Sequence, residues 1–152
     1  MTCICGCDPG KHGALAFLYP DAPNRVAVYD VPLAGNEIVG VSVRRIIEKH
    51  MPHTVWFERV NAMPTDGRGS AFSFGVTTGK LLGIFEACEI RVELVTPSVW
   101  KRAMKLGKDK GESRGLAGRM FPECVEHFGR VKDHNRAEAA LLALYGLQQG
   151  KH

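Results

Sequence analysis

No stretch of this 152-residue chain approaches the roughly 20 apolar residues that a bilayer crossing needs, so no membrane helix and no membrane partner are expected. The N-terminus lacks a basic segment followed by a long apolar one, so no secretory signal is expected either. Repeats, low-complexity tracts and linkers are missing, and the length suits one domain over residues 1–152. The five cysteines are an odd number without the paired spacing of a zinc site. Cys3, Cys5 and Cys7 alternate, so in a strand they share one face. They read as small buried thiols in a reducing cytoplasm.

What the chain does have is charge in one place. Residues 96–136 carry ten Lys or Arg against five Asp or Glu, a local +5 in a chain whose total is +4. Either this is a solvated helical surface or it is a phosphate-facing stripe. Two apolar runs elsewhere in the chain end on acids. Cys3–Cys7 stops at Asp8, and Thr54–Phe57 stops at Glu58. Buried strands that each end in a carboxylate place those groups at one sheet edge, where they repel unless a cation lies between them. Asp133 and Glu138 flank the start of an apolar helix near the C-terminus. Together these acids read as an oxygen-ligand site for Mg²⁺, with Mn²⁺ as a substitute. Each acid also has a plainer reading. Asp8-Pro9-Gly10 is good turn chemistry, and Glu58 is a strand end that Arg59 or Lys80 would pair.

The pattern predicts strands over residues 2–8, 13–19 and 25–31, joined by turn residues that make them antiparallel. A helix follows over 36–50, then a strand over 54–57 and a polar loop over 61–70. Ser70 caps a long helix running to 88, a strand covers 90–95, and helices cover 98–106, 112–121 and 135–147. The order βββαβαβ followed by helices implies an α/β fold, a mixed five-stranded sheet with helices on both faces. The first and fourth strands are then central neighbours, with the last helix across them.

Gly75, Gly79 and Gly83 share one helix face, which something must approach closely: DNA, a partner helix or the sheet. Thr78 and Lys80 nearby suit phosphate contacts. The segment around Lys80 lacks the spacing and the hydroxyl of a Walker loop. Lys101, Arg102 and Lys105 fall on one side of the 98–106 helix, with Trp100 and Met104 opposite and packed inward. With Lys108 and Arg136 they make the expected duplex grip.

Several of these pieces occur together in a known order. They are Gly6-Cys7-Asp8-Pro9-Gly10, Phe57-Glu58-Arg59-Val60, Gly79-Lys80-Leu81-Leu82-Gly83, Thr96-Pro97-Ser98-Val99-Trp100-Lys101 and Lys132-Asp133-His134-Asn135-Arg136-Ala137-Glu138. In that order the chain resembles the RuvC-type Holliday-junction resolvases of the ribonuclease-H-like superfamily, nearest their phage and chloroplast branch. The resemblance implies a homodimer that binds a four-way DNA junction and nicks two strands symmetrically with Mg²⁺, in a bacterial or phage-infected cell. Asp8 and Glu58 match the first two catalytic acids, and Glu138 the last. For the remaining position the expectation is Asp133 at the helix N-cap, with His134 as its substitute. Asp133 lies five residues before Glu138, about 140° around a regular helix, whereas His134 shares its face. Where some relatives wedge a Phe into the junction, this chain offers Met63, while at least one of Phe72 and Phe74 is expected in the core. The rivals are an RNase H-type nuclease on the same fold and a non-catalytic junction binder.

Overall fold

The computed structural model describes residues 2–61 and 63–150. Its strands are β1 (Ile4–Asp8), β2 (Ala14–Leu18), β3 (Ala27–Asp30), β4 (Leu33–Ala34), β5 (Glu37–Ile38), β6 (Thr54–Glu58) and β7 (Arg91–Val95). Its α-helices are α1 (Gly40–His50), α2 (Arg68–Ala87), α3 (Pro97–Ala103), α4 (Lys110–Met120) and α5 (His134–Gln148), with 3₁₀ turns at Pro122–Phe128 and Val131–Asp133. The main sheet has five strands in the order β3-β2-β1-β6-β7. β1–β2 and β2–β3 pair antiparallel, and β1–β6 and β6–β7 pair parallel. The mixed sheet and its central pair are as the sequence predicts.

Strand alternation divides the core in two. Cys3, Cys5, Cys7, Leu15, Phe17, Val55 and Phe57 face α1 and α2, packing with Val43, Ile47, Leu81 and Phe85. Ile4, Ala14, Ala16 and Trp56 face the other way, onto α5, Trp100 and Phe121. All five cysteines are free thiols, and burial pushes Cys3 up to about 11. Helix α5 is buried all round from Ala137 to Gly146. Such a helix needs a close seat, and Gly6 provides it. A Cβ on Gly6 would lie 2.0 Å from the Ala139 carbonyl oxygen and 2.6 Å from the Ala143 nitrogen. A glycine inside a strand marks such an approach.

Three expectations need correcting. The helix expected over 36–50 starts at Gly40, because Leu33–Ala34 and Glu37–Ile38 form a two-stranded hairpin through the turn at Gly35, whose φ is +62°. Ser70 does not cap α2, which begins at Arg68 with Gly67 as its N-cap and no side-chain bond there. Neither Phe72 nor Phe74 enters the core: Phe72 is 75% exposed and Phe74 is half-buried against the Gly10 turn.

Helix α3 also stops early. Lys105 N–H bonds to Arg102 O at 3.0 Å and Leu106 N–H to Lys101 O at 2.8 Å, closing the helix with Lys105 in the left-handed region at φ 57°. Glycine ordinarily holds that position, because a Cβ is strained there. Lys105→Gly is therefore expected to stabilise the fold by about 0.5–1 kcal/mol, a rise of roughly 2–4 °C in Tm. An unchanged or lower midpoint in a thermal melt would show that the strain is relieved elsewhere.

Candidate metal centre and nucleic-acid face

The parallel register pairs Cys7 with Phe57, so the next residues of β1 and β6, Asp8 and Glu58, end side by side. Alternation turns both carboxylates toward α5, the face of Gly6 and Trp56. Seating α5 on Gly6 brings Glu138 to them. One carboxylate oxygen from each of Asp8, Glu58 and Glu138 lies within 4.8 Å of the others, and all three residues are buried.

Such crowding has an electrostatic cost. Burial, then the charges of Glu58 and Glu138, push the Asp8 carboxyl well above its usual range, with Lys101 opposing. Burial also raises Glu58, against a bond from Trp100 that pulls it down. Asp8 Oδ2 is buried and makes no hydrogen bond among the described residues. A compact, all-oxygen donor set with an orphaned carboxylate oxygen fits a hard divalent cation such as Mg²⁺ or Mn²⁺.

Helix α3 supplies two neighbours of the cluster. Trp100 Nε1–H donates to Glu58 Oε2 at 2.7 Å from a fully buried ring, fixing that carboxylate's direction. Lys101 Nζ lies 3.0 Å from Glu138 Oε1. The expected solvent-facing trio Lys101, Arg102 and Lys105 is thereby broken up. Lys101 turns into the acidic cluster, Arg102 stays exposed, and Lys105 sits beyond the helix end.

The structure does not bring Asp133 into the cluster. Its carboxylate turns back to Arg130, accepting from the main-chain N–H at 2.9 Å and from Nη2 at 2.8 Å, with Arg136 Nη1 at 3.7 Å. Burial pushes this carboxyl up, but the Arg130 bonds outweigh it and hold it below its ordinary value. Asp133 lies in the 3₁₀ turn before α5, and its bonds to Arg130 turn it away from Glu138. His134 is half-buried outside the cluster, its Nδ1 3.4 Å from Val131 O.

Other expected DNA contacts divide by whether their charge is already engaged. Arg136 holds Asp30 through two bonds at 2.7 and 2.8 Å, and Lys80 Nζ donates to Ile38 O. Thr78 Oγ1 is buried, without a partner among the described residues, rather than presented to solvent. Lys108 is exposed in the loop between α3 and α4, and Met63 is 62% exposed. A Cβ on Gly75, Gly79 or Gly83 would meet nothing within 4 Å, which removes the sheet as the reason for these glycines.

Two cavities are lined by the segments that follow Asp8 and precede Glu138, though none of the three cluster acids lines either. One, of about 430 Å³, lies between the Pro9–Gly13 loop and α2. The other, of about 740 Å³, carries Lys11, Arg130, Lys132, His134 and Arg136. Sequence reading missed Trp100 as a partner of Glu58, Lys101 as a partner of Glu138, and Asn135 on the cavity wall. Only Gly6 carried a signal, as a glycine inside a buried strand.

No protein-family model and no curated protein matches the chain in sequence. Solved structures do match in fold. Thermus thermophilus RuvC, solved in complex with a Holliday junction substrate, superposes with TM-score 0.72 at 16% identity, over 99% of this chain and 97% of that one. The fowlpox virus Holliday junction resolvase gives 0.58 at 17% identity, over 97% and 99%. The yeast mitochondrial Holliday junction resolvase gives 0.62 at 14%, over 95% and 77%. The chain therefore has the fold of the RuvC-type resolvases, at only 14–17% sequence identity to the three structures named.

Proposed function

We propose that this protein is a structure-selective endodeoxyribonuclease that resolves four-way DNA junctions by symmetric, Mg²⁺-dependent phosphodiester hydrolysis. The observation that carries the reading is the convergence of Asp8, Glu58 and Glu138, from β1, β6 and α5, into one oxygen-donor cluster in this fold. A divalent cation held there supplies Lewis acidity to the scissile phosphate and a nucleophilic water at neutral pH. The protein's own groups do the rest. Asp8, Glu58 and Glu138 hold the cation, and Trp100 keeps Glu58 aimed at it. Lys101, paired with Glu138, would be free to reach the scissile phosphate if a cation took over that pairing. Arg102, Lys105 and Lys108 hold the flanking backbone without reading sequence. Met63, exposed after β6, meets the junction centre. The five free cysteines suit a reducing, cytoplasmic setting.

Symmetric nicking requires two copies. Phe72, Gly75, Val76, Gly79 and Gly83 form one stripe of α2. Phe72 and Val76 are exposed, and the glycines let a second helix come close. This stripe is the proposed contact across the dimer two-fold.

The deciding experiment incubates purified protein with a synthetic four-way junction, a linear duplex and an RNA–DNA hybrid, with and without Mg²⁺. Paired nicks in the junction alone are expected. Cleavage of the hybrid instead, or junction binding without nicks, would replace the reading. Arg102→Ala with Lys105→Ala should flatten the salt dependence of junction binding by about two units of slope. An unchanged slope would remove that end of α3 from the DNA face.

Stability should report the cluster independently of DNA. The raised Asp8 and Glu58 carboxyls bind protons more readily in the folded protein than in the unfolded chain. Their contribution is therefore complete below the ordinary carboxylate range and is lost as pH rises through their raised range. In chelator, the melting temperature should fall over that interval. Saturating Mg²⁺ should restore roughly 5–10 °C near neutral pH. A midpoint indifferent to Mg²⁺ at neutral pH would count against a metal centre.

A further inference from the structure

We infer that the 430 Å³ cavity beside the acidic cluster is a nucleobase pocket: it takes one unstacked base next to the scissile phosphate and favours a base with an exocyclic amine. The inference rests on the nuclease reading and adds to it a source of sequence preference.

Position comes first. One wall is the Pro9–Gly13 loop, which begins directly after Asp8. The opposite wall is the α2 face carrying Ser70, Ser73, Phe74 and Thr77, a different stripe from Phe72 and Val76. Asn135, three residues before Glu138, completes the lining. The cavity is thus attached to the cluster through two of its three acid-bearing segments. A strand crossing the cluster passes its mouth.

Chemistry comes second. The volume lies in the range of small-ligand sites, and such sites combine apolar surface with a few placed polar groups. Phe74 provides an aromatic surface of the kind on which single bases stack. The ring lies against Gly10 (φ +121°), where an added Cβ would stand in ordinary contact, 3.8 Å from Phe74 Cε2. Thr77 Oγ1 donates its one hydrogen to Ser73 O at 2.9 Å. Asn135 is the selective group. Its Nδ2 donates to the His12 carbonyl at 2.6 Å. Flipping the amide would set oxygen against oxygen, so the bond fixes the amide's orientation. Oδ1, which makes no hydrogen bond among the described residues, is left as an acceptor. Adenine, cytosine and guanine answer it with an amino group. Thymine offers two carbonyl oxygens with a single N–H recessed between them.

The neighbouring cleft supplies the backbone track. Its Arg130 and Arg136 are engaged by Asp133 and Asp30, which leaves Lys11 and Lys132 for phosphate. Lys11 lines both cavities, so base and phosphate sites are continuous.

The test uses matched junctions that differ only in the bases flanking the nick. Nicking is expected to be about three- to tenfold faster with adenine or cytosine than with thymine at one flanking position. Asn135→Ala should bring that ratio toward one. A second arm binds junctions carrying 2-aminopurine at each flanking position, with Ca²⁺ in place of Mg²⁺. Its fluorescence should change on binding at one position, and Phe74→Leu should remove the change. Nicking with no flanking-base preference, or a preference that survives Asn135→Ala, overturns the pocket and leaves the nuclease standing. Absence of Mg²⁺-dependent nicking on every junction overturns the nuclease, and the fluorescence arm then judges the pocket alone. An unchanged signal, or the same change in Phe74→Leu, rejects it.

Discussion

Asp8→Asn is expected to lower junction nicking by about 10³-fold or more while leaving junction affinity intact or tighter. The side chain keeps its size, so the packing of β1 under α5 is preserved. What is lost is one anionic ligand from a cluster of three buried carboxylates. Because the charge of Asp8 repels both Glu58 and Glu138, its removal also relaxes the metal-free protein. Three readouts should therefore move together. Nicking collapses, the Mg²⁺-dependent rise in melting temperature shrinks, and the melting temperature in chelator goes up. Gel-shift binding in Ca²⁺ separates catalysis from affinity. If the variant loses junction binding, Asp8 is part of the docking surface or the fold rather than a metal ligand.

The second large effect concerns a residue with no side chain. Gly6→Ala should destabilise the protein by about 3 kcal/mol or more, a fall of roughly 10 °C in melting temperature. The new methyl group would meet main-chain atoms of α5 at 2.0 and 2.6 Å, and main-chain atoms in a buried helix have no rotamer to change. Either β1 or α5 has to move. Movement of α5 takes Glu138 away from Asp8, so the variant should also lose its Mg²⁺ response at temperatures where it remains folded. A chemical-denaturation curve and a Mg²⁺ titration of the melting point measure the two losses separately. A Gly6→Ala protein of normal stability would mean that the helix seat is looser than these distances allow.

These expectations show which parts of the molecule could be read from the chain. The sheet was legible because its strands are short apolar runs bounded by turn residues, and Asp8 and Glu58 were legible because each ends such a run. Glu138 was legible from the apolar helix around it. Asp133 was misplaced because its partner is Arg130, only three residues away, and local ion pairs leave no mark in hydrophobic periodicity. Lys101 was misread for the opposite reason. Helix spacing assigned it to solvent, while its partner is Glu138, thirty-seven positions further along, met only after α3 and α5 have docked. Trp100 was correctly expected to face inward, yet nothing in the chain indicates that its indole N–H ends on Glu58. Long-range polar pairs follow from topology, and topology is the last thing a single sequence reveals.

The seating of α5 has a further consequence for the timing of activity. Asp8 and Glu58 emerge early during synthesis, whereas Glu138 emerges some eighty residues after Glu58. Until that helix inserts, the two early carboxylates face an open groove and lack their third companion. A ribosome-bound fragment ending before residue 134 should accordingly be inert toward DNA even where its strands have paired. On the proposed reading, nicking would arrive only with the last helix of the core; a truncated fragment that nicks junctions would show otherwise.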